Sequence, residues 1–278
     1  MGVIKQLPEE IETYRDRMWR REPERRVETA LEAEKLIERA GFCAAMTDAR
    51  RPGASLYVSV CGRRDAHMPR NVQKDPESSQ TWLLKDEIMR RGRVYYAKLA
   101  KGRALFVAPR LVPHLNALWG VARREESARL SAEARAVLKV LRREWEMASC
   151  DLRWAAEMAE RVRLTRALDE LQRTLKVIPC DVMYEPWFTY VWTLAEARFG
   201  AELKVKVKPE TALREAARAF LDGAGMTLRG ELAKVTGLSR PDAGLGHRAL
   251  VAEGYAVRVA DGVYQLADLE RRLAAMDD

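Results

Sequence analysis

Alternating residues around one Asp-Gly pair limit this chain's folding options more than any other feature. Tyr255-Ala256-Val257-Arg258-Val259 and Val263-Tyr264-Gln265-Leu266 flank Asp261-Gly262. Asp-Gly supplies the two positive-φ positions that a two-residue turn requires, so the segment is expected to form a β-hairpin. A short amphipathic segment (Leu228, Leu232, Val235) precedes it and meets a break from Thr236 to Pro241. A second helical segment then holds Leu245 and Leu250 on one face and stops at Gly254.

Helix, turn, helix and hairpin is the order of a winged helix, whose second helix is the usual reader of a DNA groove. The same order recurs. DLRWAAEMAERVRLTRALDELQRTLKVIP aligns with TLRGELAKVTGLSRPDAGLGHRALVAEGYAVRV, with a gap of a residue or two, and a long helix precedes each copy (Ala132 to Met147, Thr211 to Leu221). Self-similarity on the scale of a supersecondary unit outweighs any single-helix assignment. Nearer the N-terminus, Trp82 to Met89 reads as a helix ending near Gly92, and Val94 to Lys98 and Ala104 to Val107 flank Lys101-Gly102 as another hairpin. The expected fold is therefore α+β and mostly helical. It comprises three tandem winged-helix units over residues 1–115, 116–205 and 206–278, the first of them degenerate.

Between these landmarks, residues 8–40 read as one helix with Leu31, Ala33, Leu36, Ile37 and Ala40 as its stripe and Gly41 as its cap. Arg15, Arg17, Arg20, Arg21, Arg25 and Arg26 alternate with glutamates there, which reads as a solvated face of local ion pairs ahead of a phosphate-contacting arm. Ser55 to Cys61 is rich in β-formers and reads as a buried strand. The polar stretch 61–80 after it is either a nucleic-acid-facing loop or an unstructured insertion. Ser131 caps a helix with Ala134, Val137, Leu138, Leu141 and Trp145 on one stripe. Trp187 to Trp192 reads as a strand, and Trp145, Trp154, Trp187 and Trp192 are read as core residues before base-stacking ones.

Hydrophobic residues make up 47% of the chain, which is globular, and no apolar run is long enough to span a membrane. The N-terminus lacks a secretory pattern, and Gln6 stands where myristoylation prefers Ser or Thr, so a cytoplasmic protein is expected. Four cysteines (Cys43, Cys61, Cys150, Cys180) and three histidines (His67, His114, His247) lie far apart. That spacing reads as buried thiols, with no metal and no cofactor expected. The net charge is +8, and coupled to the winged-helix pattern it points to double-stranded DNA as the partner, not a membrane.

Repeated winged helices, each with a long leading helix, resemble the AlkZ-like family of bacterial DNA glycosylases, which includes interstrand-crosslink repair enzymes. LTRALDELQRTLKVIP, MTLRGELAKVTGLSR and WLLKDEIMRRGRVYYAKLAKGRALFVAP carry the likeness, which spans about residues 25 to 268. The resemblance implies a C-shaped scaffold that grips duplex DNA around a lesion. It also implies a Gln-x-Gln or Gln-x-Asp triplet near the first unit, positioning the water that attacks the glycosidic carbon. The run nearest that place reads Tyr-Val-Ser-Val-Cys, so Ser59 and Cys61 are the family-equivalent positions, and neither orients water as a carboxamide or carboxylate does. Gln73 and Gln80 are assigned to the polar loop and read as outside that spacing. Asp48, Asp65 and Glu87 are read as solvated or capping carboxylates.

Leu164, Leu168, Leu171 and Leu175 take the buried face of the second unit's last helix. That leaves Arg161, Arg163, Arg166 and Arg173 for DNA, joined by Arg229, Arg240, His247 and Arg248 in the third unit and by Arg63, Arg64 and Arg70 in the polar loop. The expected function is recognition or repair of damaged duplex DNA. A winged-helix transcriptional regulator and a protein-interaction scaffold are the alternatives.

Overall fold

The helices Ala30–Ala40, Ala132–Glu144 and Pro209–Ala224 end alike. Each is closed by a residue with positive φ (Gly41 at 75°, Trp145 at 67°, Gly225 at 69°) whose N–H returns to the carbonyl four residues earlier. This cap turns the chain out of the helix and into a short strand. In each case that strand leads on to two helices and then a hairpin.

The computed structural model describes residues 6–277. The first segment runs α1 (Glu9–Met18), α2 (Ala30–Ala40), β1 (Phe42–Ala44), β2 (Ala54–Ser55), α3 (Leu56–Cys61), α4 (Pro76–Arg91), β3 (Tyr95–Ala100) and β4 (Arg103–Val107). Next come α5 (Val112–Trp119), α6 (Glu126–Arg129), α7 (Ala132–Glu144), β5 (Glu146–Ala148), α8 (Ser149–Ala155), α9 (Arg161–Arg173), β6 (Val177–Met183) and β7 (Thr189–Leu194). The last segment holds α10 (Ala195–Lys204), α11 (Pro209–Ala224), β8 (Met226–Thr227), α12 (Glu231–Thr236), α13 (Arg240–Ala252), β9 (Ala256–Ala260), β10 (Val263–Leu266) and α14 (Leu269–Asp277).

The strand orders are β2-β1-β4-β3, β5-β7-β6 and β8-β10-β9. Apart from the added β2, each leading strand pairs antiparallel with the second strand of its hairpin, as in Phe42 against Val107, Met147 against Trp192 and Thr227 against Tyr264. The molecule is thus α+β, with helices dominating three small sheets. Among the described residues no helix is long and apolar enough to cross a membrane.

The first and last segments share one hydrophobic core, in which Ile11, Phe42, Tyr95 and Phe106 join Ala217, Leu221, Leu250 and Leu266. The middle segment packs largely around its own, from Val137 and Leu141 to Leu152, Leu168 and Trp192. Two contacts lock the shared core. Arg15 of α1, only 4% exposed, is bidentate to Glu231 of α12 (both N–O distances 2.9 Å) and also donates to the Ala224 and Met226 carbonyls. Where α13 crosses α11, Gly246 lies so close that a Cβ there would stand 2.3 Å from the Leu213 carbonyl oxygen.

Several local expectations need correction. Residues 8–40 form two helices: Glu22 before Pro23 is extended (φ −122°, ψ 140°), because the proline ring clashes with an α-conformation in the preceding residue. Ser55 to Cys61 is helical from Leu56, with all six helical residues buried. A segment buried all round shows no periodicity to separate helix from strand, and β-propensity then misleads. Trp145 leaves its stripe, 66% exposed, because it occupies the cap rather than the helix. Trp154 and Trp187 are exposed as well, while Trp192 is buried as expected. Of the four thiols, Cys150 lies at the surface. Leu245 faces out at 50% exposure, whereas Leu250 is fully buried. The polar stretch is shorter than expected, since Asp75 caps α4 and helix resumes at Pro76.

Candidate nucleic-acid interface

On α9 the four leucine and alanine positions Leu164, Ala167, Leu168 and Leu171 are buried, which turns Arg161, Arg163, Arg166 and Arg173 to solvent. Arg163 is held by Glu133 (2.5 Å), and Arg173 donates to the Asp169 carbonyl of its own helix (3.3 Å). Among the described residues, Arg161 and Arg166 meet no ion-pair partner. On α13 Arg240 and Arg248 are exposed and likewise unpaired among the described residues, while Arg229 and Arg258 both reach Asp261 at the hairpin tip (3.4 and 2.8 Å).

His247 points inward. It is 4% exposed, its ring stacks on Tyr264 (4.6 Å, 5° between planes), and Nδ1 lies 2.8 Å from the Ala243 carbonyl oxygen. Burial pulls its pKa down to about 4, so it is a neutral ring at pH 7. Arg63 and Arg64 are taken up by acids: Arg63 by Glu77 (2.6 Å to Oε2), and Arg64 by Asp16 and Glu9 (3.0 and 2.9 Å). Arg70 is exposed and has no ion pair among the described residues.

Three hollows follow one another through shared lining residues and together outline a groove, two of them between the first and last segments and the third within the last. The first, about 250 Å³, lies at the end of β1 beside Ala44 and Thr47, with Arg51, Lys101, Arg103 and Lys234 on its rim. The second, about 600 Å³, shares Arg51 and Lys234 with the first and extends past α1 to Arg229. The third, about 330 Å³, shares Arg229 and continues between the last hairpin and α13 to Arg240 and Arg248.

Each carboxylate lining this groove is already neutralised. Glu9 pairs with Arg64, Glu12 with Arg21, Glu231 with Arg15, and Asp261 with Arg229 and Arg258. The charged side chains along it left without an ion pair among the described residues are positive: Arg51, Lys101, Arg103 (which donates to the Lys234 carbonyl, 2.6 Å), Lys234, Arg240 and Arg248. Four of these six were not singled out from sequence. The tip lysine of the Lys101-Gly102 hairpin was within reach of the hairpin argument, whereas Arg51 and Lys234 become neighbours only when the first and last segments pack.

Ser59 and Cys61, the positions assigned from sequence to the family's catalytic element, line none of the three hollows. Ser59 Oγ is buried within 2.7 Å of the Trp19 carbonyl and 2.8 Å of Ser55's, spent on backbone. Cys61 donates to Glu77 (3.2 Å), and burial, then this carboxylate, push its thiol up to about 12. A Gln-x-Asp spacing does occur once, at Gln73-Lys74-Asp75. There Asp75 caps α4 through the Ser78 N–H (2.7 Å) and Gln73 is exposed in a 3-10 turn. Asp48 braces its own loop, accepting from Arg50 and from the Met68 N–H (3.1 Å), and the Arg50 hydrogen bond first holds its pKa down to about 2. No group of three or more His, Cys, Asp or Glu gathers into a metal-binding cluster among the described residues.

A family profile described as AlkZ related matches residues 27–235, three-quarters of the chain. The chain belongs to the AlkZ-related family. Its matched region begins just before α2 and ends within α12, so it takes in the β1 end of the groove and Arg229. Among solved structures, this AlkZ-related chain is similar to the Streptomyces sahachiroi DNA glycosylase AlkZ, with 16% identity, coverage of 98% of this chain and 73% of that one, and a TM-score of 0.56. At that identity the likeness speaks for the fold. The DIP2311 protein of Corynebacterium diphtheriae also matches, at 16% identity over 80% of this chain and 42% of that one, with a TM-score of 0.21. No curated protein matches.

Proposed function

We propose that the three helix–strand–helix–helix–hairpin segments are tandem winged helices that together grip duplex DNA, and that the protein recognises damaged or distorted DNA. One observation carries this reading: the groove's acids are all paired internally, leaving six cations without an ion pair among the described residues along hollows that share lining residues. Such a surface suits a phosphate backbone and carries no sequence information by itself. Membership of the AlkZ-related family supports a repair setting. The hollow beside β1 is lined by no carboxylate or carboxamide among the described residues, so binding is the role its side chains support, ahead of glycosidic bond hydrolysis.

Fluorescence anisotropy with a labelled 20-base-pair duplex, titrated at several salt concentrations, tests the grip. Neutralising six phosphates predicts a log–log salt slope of about −5, and Arg51→Glu, Lys234→Glu and Arg240→Glu should each flatten it by about one. A salt-independent affinity, or slopes unmoved by these changes, would refute the reading. Intact, abasic and crosslinked duplexes in competition separate damage recognition from a regulator, which instead prefers one intact sequence.

A further inference from the structure

The three hairpins differ at their tips. Two turn on two residues, Lys101-Gly102 and Asp261-Gly262, while the middle one spends five, from Tyr184 to Phe188. The longer tip is anchored from outside. Trp82 of α4 donates to the Tyr184 hydroxyl (2.8 Å), that hydroxyl donates to Asp86, and the Phe188 ring packs on Trp82 (5.8 Å) and Tyr190 (5.1 Å). Trp187 beside them is nonetheless 71% exposed, an unusual use of the largest apolar side chain. A cleft of about 370 Å³ opens under this tip. One wall is aromatic, from Trp187 to Trp192, and the other comes from α8 and α9 with Cys150, Arg153 and Arg161.

Its electrostatics are one-sided. The carboxylate lining it, Asp169, is held by Lys98 (3.0 Å). Among the described residues Arg161 has no ion pair, and Arg153 has a buried Nε without a hydrogen-bond partner. α9 begins at Arg161; Glu160 stands at its N-cap without a side-chain cap hydrogen bond, and no acid follows in the first turn. Aromatic faces attract a planar ring, and guanidinium groups attract a phosphate.

We propose that this cleft receives one unstacked nucleotide of a DNA strand, its base against the Trp187–Tyr190 wall and its phosphate against Arg153 and Arg161. The assignment rests on the DNA-binding reading above and adds what the chain senses in distorted DNA. A base already displaced by damage enters without the unstacking that a paired base requires.

Cys150 reports on the cleft, because it is exposed there while Cys43, Cys61 and Cys180 are buried. Alkylation of the intact protein with N-ethylmaleimide is followed with a fully paired duplex, the same duplex carrying one bulged thymidine, or free dTMP. Saturation with the bulged duplex is expected to slow Cys150 labelling at least tenfold, with little slowing by the paired one. Trp187→Ala and Arg161→Ala should each reduce the preference for the bulge by about tenfold, the scale of one stacked base, while Trp187→Phe retains most of it. Affinity for the paired duplex should not change in the Trp187→Ala and Trp187→Phe variants. Equal protection by paired and bulged duplexes, or a bulge preference indifferent to Trp187→Ala, overturns the proposal with the duplex grip intact. Equivalent protection by dTMP overturns the DNA-strand assignment. Protection by the bulged duplex with no measurable paired-duplex binding upholds the cleft and removes the grip.

Discussion

Trp145 holds a conformation that glycine holds in the two sister segments. Its φ of 67° matches Gly41 and Gly225, yet it has a bulky side chain that is 66% exposed and returns little packing for the strain. Trp145→Gly is expected to stabilise the protein by about 1 kcal/mol, visible as a rise of a few degrees in a thermal melt. A lower midpoint would mean that the indole packing outweighs the strain. Asp48 shows the residue scale through pH. Its folded pKa, about 2, lies below the unfolded value near 4, so its contribution is fully present above pH 4 and is lost as pH falls through 2. Denaturant titrations of Asp48→Asn should therefore show a deficit at pH 6 that closes between pH 4 and pH 2. A deficit constant across that window would exclude the ionic origin. At this scale the sequence misled where burial was decisive: Arg15 looks like one more residue of a solvated basic face, but its fork is enclosed by Glu231 and two carbonyls from the other end of the chain.

Elements were legible where punctuation is local. Gly41, Gly92 and Gly254 end helices, Ser131 caps one through the Ala134 N–H (3.1 Å), and Asp261-Gly262 turns a hairpin. Each works through its own backbone geometry or immediate neighbours, so no tertiary knowledge is needed. The segment after Gly53 was not legible, because α3 is buried on every side and the period that separates helix from strand is absent. Helix pairing depends on a smaller feature. Gly246 sets the separation of α11 and α13, and a methyl there meets the Leu213 carbonyl at 2.3 Å. Gly246→Ala should thus cost about 1–3 kcal/mol through overpacking, despite alanine's better helix propensity. Chemical denaturation measures it, and a neutral or stabilised variant would show that the two helices can separate freely.

For the whole molecule, the decisive contact joins the chain's ends. Arg15→Ala leaves Glu231 buried without its partner and should destabilise by about 3–5 kcal/mol, where the double variant Arg15→Met/Glu231→Leu should recover much of the loss. If the double variant is no better than the single one, the joint is not primarily electrostatic. The second segment keeps much of its core to itself, while Trp82 and Lys98 of the first segment brace its hairpin tip and its cleft. Sequence by itself determined the recurring order of helices and hairpins, the basic excess and the likeness to AlkZ-like proteins, since periodicity, turn chemistry and composition act over a few residues at a time. Only the tertiary structure decided which arginines remain free, because Arg63, Arg64 and Arg163 find acids from distant elements while Arg51, Lys101 and Lys234 gather along one groove. It also decided that Trp187 stands in the open, since whether an aromatic is core or surface depends on what the rest of the chain packs against it.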